Sequence, residues 1–85
     1  PNDPYIIDSM AWYYFKTGAY EEAESLLEYA IDLMPYDPII NEHYGDALWK
    51  SGKNVEARFH WSKALELDPE EETIADIKIK ILIGI

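Results

Sequence analysis

His43 and Asp46 stand three residues apart and Glu42 and Asp46 four apart. A helix through them puts an imidazole and two carboxylates on one side of a turn. That is the beginning of a divalent-metal site, but with a single histidine the ligand set is incomplete, and no metal centre is expected. The hydroxyl nucleophiles offer less. Ser9, Ser25, Ser51 and Ser62 sit in no elbow or triad context. The four glycines read as turns, packing positions or caps, and none belongs to a phosphate loop. His60, beside Trp61, reads as a partly exposed surface residue. Nothing nucleophilic is paired with a base, so the sequence argues for a protein that is not an enzyme and needs no cofactor.

The chain has 85 residues, 48% of them hydrophobic, which suits one domain or a piece of one. Its 17 acids outweigh 7 bases for a net charge of −10. Nucleic acid and anionic membrane surfaces need the opposite footprint and are set aside. A basic or neutral protein partner fits, and a solvated surface accounts for much of the charge. Cysteine is absent, so there is no disulfide framework. No apolar run reaches the roughly 18 residues of a membrane span. The sequence opens at Pro1 without a Met or a basic leader and is read as a piece of a longer protein.

The elements that must position these residues show in a repeat. "WYYFKTGAYEEAESLLEYAIDLMP" is echoed by "DALWKSGKNVEARFHWSKALELDP", and a shift of 34 superposes Asp3 on Asp37, Pro4 on Pro38, Gly18 on Gly52, Ala23 on Ala57, Ala30 on Ala64 and Pro35 on Pro69. A fixed period of this kind marks a stacked repeat. Asp3 and Asp37 are N-caps, with Pro4 and Pro38 at the first helical position. Gly18 and Gly52 stop the first helix of each copy. The second helices run from about Tyr20 to Leu33 and from about Asn54 to Leu67, and Pro35 and Pro69 end them. Ala23, Leu27 and Ala30 share one face, as do Ala57, Trp61 and Ala64, and the small residues permit close helix approach.

These residues resemble the tetratricopeptide repeat, a helix–turn–helix unit with small and large residues at set offsets. The first copy supplies Ile7, Met10, Ala11, Tyr14, Gly18, Ala23, Leu27, Ala30 and Pro35. The second supplies Asn41, Tyr44, Gly45, Leu48, Gly52, Ala57, Trp61, Ala64 and Pro69. Ile7 and Asn41 depart from the family's Trp. The resemblance implies an all-α, right-handed solenoid over residues 1–85 as a single domain: one unit about 4–37, a second about 38–71, and a terminal capping helix about 70–84. A looser resemblance to the C-terminal repeats of bacterial cell-envelope proteins of this family implies an envelope or periplasmic origin, without excluding the cytoplasm.

The last segment, "IADIKIKILIGI", alternates in a way that would suit a strand. A lone strand would leave its backbone groups unpaired, and the acids Glu70 to Glu72 favour a helix start. A helix is expected, with Ile74, Ile77, Ile81, Leu82 and Ile85 on its inner stripe and Gly84 closing it. Ile79 and Ile83 fall off that stripe, where they would serve self-association.

In the family the first helix of each unit lines a concave groove that binds peptides. The matching positions are Tyr5, Asp8, Trp12, Phe15 and Lys16, then Ile39, Glu42, His43, Asp46, Trp49 and Lys50. Some members clamp a chaperone's carboxylate end with Lys, Asn and Arg; Asp8, Trp12 and His43 hold those places here, and Asp8 would repel a carboxylate. Asp8, Glu42 and Asp46 instead suit a basic segment, and Trp12 is a natural anchor for a partner side chain. The expectation is a protein-interaction module with an acidic, aromatic-lined groove for a peptide or protein. The alternative is an end fragment of a longer array that stacks or self-associates through its terminal helices, making a homo-oligomer.

Overall fold

Two aspartates open the two first helices. In the computed structural model, which describes residues 2–85, the Asp3 carboxylate accepts the Tyr5 N–H at 2.9 Å and that of Asp37 accepts the Ile40 N–H at 2.8 Å. Each satisfies a backbone donor that has no partner inside the helix, and the prolines that follow lack that donor altogether. Among the described residues five helices result: α1 (Pro4–Lys16), α2 (Tyr20–Leu33), α3 (Pro38–Lys50), α4 (Asn54–Glu66) and α5 (Glu71–Ile83). There is no strand among the described residues. Gly18 and Gly52 end α1 and α3 at φ 86° and 85°, backbone that a side chain would strain.

The molecule is all-α. α1 packs on α2 and α3 on α4, α2 joins the two hairpins by packing on α3, and α5 covers α4. The core forms where the small residues fall: Ala11, Ala23, Leu27, Ala47, Ala57, Trp61, Ala64 and Ile77 are fully buried. Gly45 brings α3 close enough to α4 for the Trp61 ring to rest where a Cβ would stand.

Asn41, the polar residue at a position for a large aromatic, is buried and satisfied. Its Nδ2 donates to the carbonyls of Pro35 at 3.1 Å and Asp37 at 2.9 Å, tying down the turn between α2 and α3. Its Oδ1 accepts from His60 Nδ1 at 3.0 Å, and His60 also lies against the Tyr44 ring. His60 is therefore half-buried and structural, and burial, with Lys63 nearby, lowers its pKa.

The last segment is a helix, but its inner stripe is narrower than expected. Ile77 and Ile81 pack on the core that holds Ala57, Trp61 and Ala64 of α4 and Ile74 is half-buried, whereas Leu82 is exposed and Ile85 lies beyond the helix end. Leu82 sits one residue, about 100°, round the helix from Ile81, which carries it off the contact line. Arg58 secures this end by donating its Nε–H to the Ile81 carbonyl at 2.8 Å, with its guanidinium 4.8 Å from the Trp49 ring centroid. Gly84, at φ 79°, closes α5 against that same tryptophan.

Candidate functional site

The shift of 34 places Trp12, Asp46 and Lys80 at one repeat position on α1, α3 and α5. The candidate residues gather around this row. On α1, Trp12 stacks on Phe15 with centroids 4.8 Å apart and rings 5° from parallel. Its other neighbour is the His43 ring of α3, at 4.5 Å and 21°. His43 Nδ1 and Asp8 Oδ1 are 2.8 Å apart, so the imidazole is held by a carboxylate from α1 and by the face of Trp12. Trp12 and Phe15 are half-buried, neither free nor sealed in the core.

On α3 the picture differs from the expected open acidic groove. Asp46 is only 3% exposed and is not a groove-surface residue. It accepts the Trp61 indole N–H at 2.9 Å through Oδ1 and takes Lys80 Nζ at 3.0 and 3.1 Å through its two oxygens. Lys80 also donates to Glu42 Oε2 at 2.8 Å. The physical reason is that α5 delivers a base into the row, which draws Asp46 inward and answers Glu42 as well. Burial holds the Asp46 carboxyl above its ordinary value against the opposing pull of Lys80 and Trp61, while Asp46 and Glu42 raise Lys80 in spite of its own burial. Trp49 stacks on Trp61 at 5.5 Å beneath Arg58 and packs the α4–α5 junction. Tyr5 is exposed at the end of the row, its hydroxyl donating to Asp37 Oδ1 at 3.1 Å, which raises its pKa. Ile79 and Ile83 lie on the exposed side of α5.

All three carboxylates named for a basic partner thus have a cationic or imidazole partner inside the chain. The residues that sequence reasoning missed are Lys80, whose shared repeat period with Asp46 does not by itself say that the two meet, and Arg58, which has no cue of even that kind.

The comparisons with known proteins bear on this arrangement. The family model for the tetratricopeptide repeat matches residues 14–81. The chain belongs to the tetratricopeptide repeat family. A search of curated proteins returned no match. Tetratricopeptide repeats generally mediate protein–protein interaction and bind proteins or peptides, and they are typically non-catalytic. The row of Trp12, Asp46 and Lys80 lies on α1, α3 and α5, and in this tetratricopeptide chain two of the three side chains are spent on each other.

The Asp8–His43 pair carries a pH dependence. Burial lowers the His43 pKa, but the Asp8 hydrogen bond and the charges of Asp8, Asp46 and Glu42 outweigh it, and the net shift is upward from 6.5. A histidine with a raised folded pKa adds stability that is fully present below its unfolded value and is lost as pH rises through the folded one. Melting temperature is therefore expected to fall as pH goes from about 6 to about 8. In Asp8→Asn that dependence flattens, the His43 midpoint read by NMR moves down, and about 1–2 kcal/mol of stability is lost at the acid end. An unmoved midpoint in Asp8→Asn would show that the pair does not hold the proton.

Proposed function

We propose that the chain is a non-catalytic interaction module that binds a peptide or protein segment across the face shared by α1 and α3, with Trp12 as the anchor. The observation that carries this reading is the pose of Trp12. It is a large half-buried aromatic, fixed between Phe15 and His43, whose remaining exposed surface a partner side chain can meet. Rigid aromatics of this kind supply contact area with little ordering cost, which is why they dominate binding energetics. Tyr5 and Ile39 extend the same helices with exposed apolar surface. A basic partner is favoured through the long-range field of a net charge of −10, and less by direct pairing with Asp8, Glu42 or Asp46.

Peptides selected from a displayed random library against the domain test this. Trp12→Ala is expected to weaken the selected peptides by about 2 kcal/mol or more, some thirtyfold, in a domain whose circular dichroism still shows the folded helices. Peptides that bind Trp12→Ala and the parent equally would remove the groove reading. A second reading, stacking or self-association through α5, draws on the exposure of Ile79, Leu82 and Ile83. Light scattering of the parent separates the two: a monomer that binds peptides supports the groove. A dimer that Ile79→Glu with Ile83→Glu dissolves supports the other.

A further inference from the structure

At the step from α3 to α5, Glu42 and Asp46 stand one turn apart and the Lys80 ammonium joins them, 2.8 Å from Glu42 Oε2 and 3.0 and 3.1 Å from the two Asp46 oxygens. One repeat earlier, at the step from α1 to α3, Asp8 and Trp12 hold the places of Glu42 and Asp46, and Asp46 holds the place of Lys80. The chain brings an acid where the next step brings an ammonium. Asp8 is answered by the His43 imidazole, Nδ1 to Oδ1 at 2.8 Å, and no other side chain among the described residues donates to its carboxylate. Both walls of this step are in place, and both side chains keep an edge open to solvent.

The two answers differ in permanence. A lysine stays charged through the neutral range, whereas an imidazole gains and loses its proton there. The charges that bear on His43 are Asp8 from α1 and Asp46 and Glu42 from α3 itself, the last two held by Lys80 of α5; none comes from α2 or α4. His60, the other histidine, is engaged with Asn41 and Tyr44 on the α4 side of α3. Loss of the His43 proton therefore frees one carboxylate of the row, Asp8, and leaves the other two paired. A neutral His43 can still donate Nδ1–H to Oδ1, which leaves Oδ2 for a cation. A cation placed there disfavours an imidazolium beside it, so guest and proton compete for Asp8. Resting on the groove reading above, we propose that the partner lays a lysine or arginine on Asp8 beside Trp12, that this contact drives the proton off His43, and that the segment is taken up at neutral to alkaline pH and released on acidification. While His43 is charged, Asp8 is answered from within and only the net charge of −10 attracts a basic segment; the neutral form opens direct pairing.

The probes are library peptides, selected at about pH 8, that lose about thirtyfold on Trp12→Ala. Exchanging one lysine or arginine of such a peptide for Met should weaken it at least about tenfold at that pH. Affinity should rise by up to about tenfold per pH unit below the His43 midpoint and level off above it, and calorimetry in buffers of different ionisation heat should find close to one proton released at the acid end. Asp8→Asn should remove both the proton release and the effect of the Met exchange, with circular dichroism still helical. His43→Gln, which holds no proton, should flatten the pH profile and keep the dependence on the peptide's base. Trp12-dependent peptides that bind equally from about pH 6 to about pH 8 without proton release would overturn this inference and leave the groove reading standing. Affinity that falls as pH rises would overturn it too, since that is the signature of an acidic guest on a charged His43. A library that yields no Trp12-dependent peptide would overturn both.

Discussion

Trp61→Ala is expected to leave most molecules unfolded at about 25 °C. Trp61 is the largest fully buried side chain. Its ring fills the space opened by Gly45, stacks 5.5 Å from Trp49, and gives its N–H to Asp46 at 2.9 Å. Truncating a buried Trp to Ala costs about 3–5 kcal/mol through lost burial and the cavity left behind. Depriving a buried carboxylate of a donor adds about 1–3 kcal/mol. A single core in a chain this short supplies roughly 3–5 kcal/mol in all, so the loss matches or exceeds the reserve. Trp61→Phe keeps most of the volume and loses the hydrogen bond, and its smaller drop in melting temperature measures the Asp46 contact. Circular dichroism with heat and urea checks both. A cooperative Trp61→Ala transition within about 5 °C of the parent would mean that Trp61 is not the keystone of the α3–α4 contact.

The parts of the fold legible in the sequence are those set by neighbours along the chain. Asp3–Pro4 and Asp37–Pro38 act within their own first turns, Gly18 and Gly52 satisfy a purely local backbone demand, and the Ala–large–Ala stripes follow from helical period alone. What was not legible depends on charge meeting charge across the fold. Asp46 looked like a groove acid because the family's offsets place it on the face of the first helix that lines the groove. Its burial is decided by Lys80, a residue on another helix that itself looks like an ordinary polar break in an apolar run. Asn41 looked like a defect for the same reason: its compensation comes from His60 and from two carbonyls across a turn. The width of the α5 stripe was misjudged at Leu82, since period alone does not say how broad a surface α4 presents.

Lys80 therefore gives the second large effect. Lys80→Met is expected to cost about 3–5 kcal/mol and to loosen α5, because removing one partner of a buried pair leaves the other charge uncompensated. Asp46 would keep the Trp61 N–H alone, and Glu42 would lose its contact at 2.8 Å. Adding Asp46→Asn should recover much of the loss, since a neutral amide has no buried charge to answer and still accepts from Trp61. The pH dependence separates this account from simple loss of packing. A carboxyl whose folded pKa lies above its unfolded one is bound to its proton more tightly in the folded state. Its burial then costs nothing below the unfolded pKa, and the cost builds as pH rises toward the folded one. In the parent, burial lifts the Asp46 pKa while Lys80 and Trp61 restrain it. Without Lys80 the restraint weakens and the pKa climbs further, so the deficit of Lys80→Met relative to the parent should shrink as pH falls from neutral toward the ordinary carboxyl value of 3.8. In the double variant the deficit should be flat across that range, because position 46 no longer titrates. A Lys80→Met deficit that is equally flat would assign Lys80 to packing alone and dissolve the argument that it draws Asp46 out of the groove.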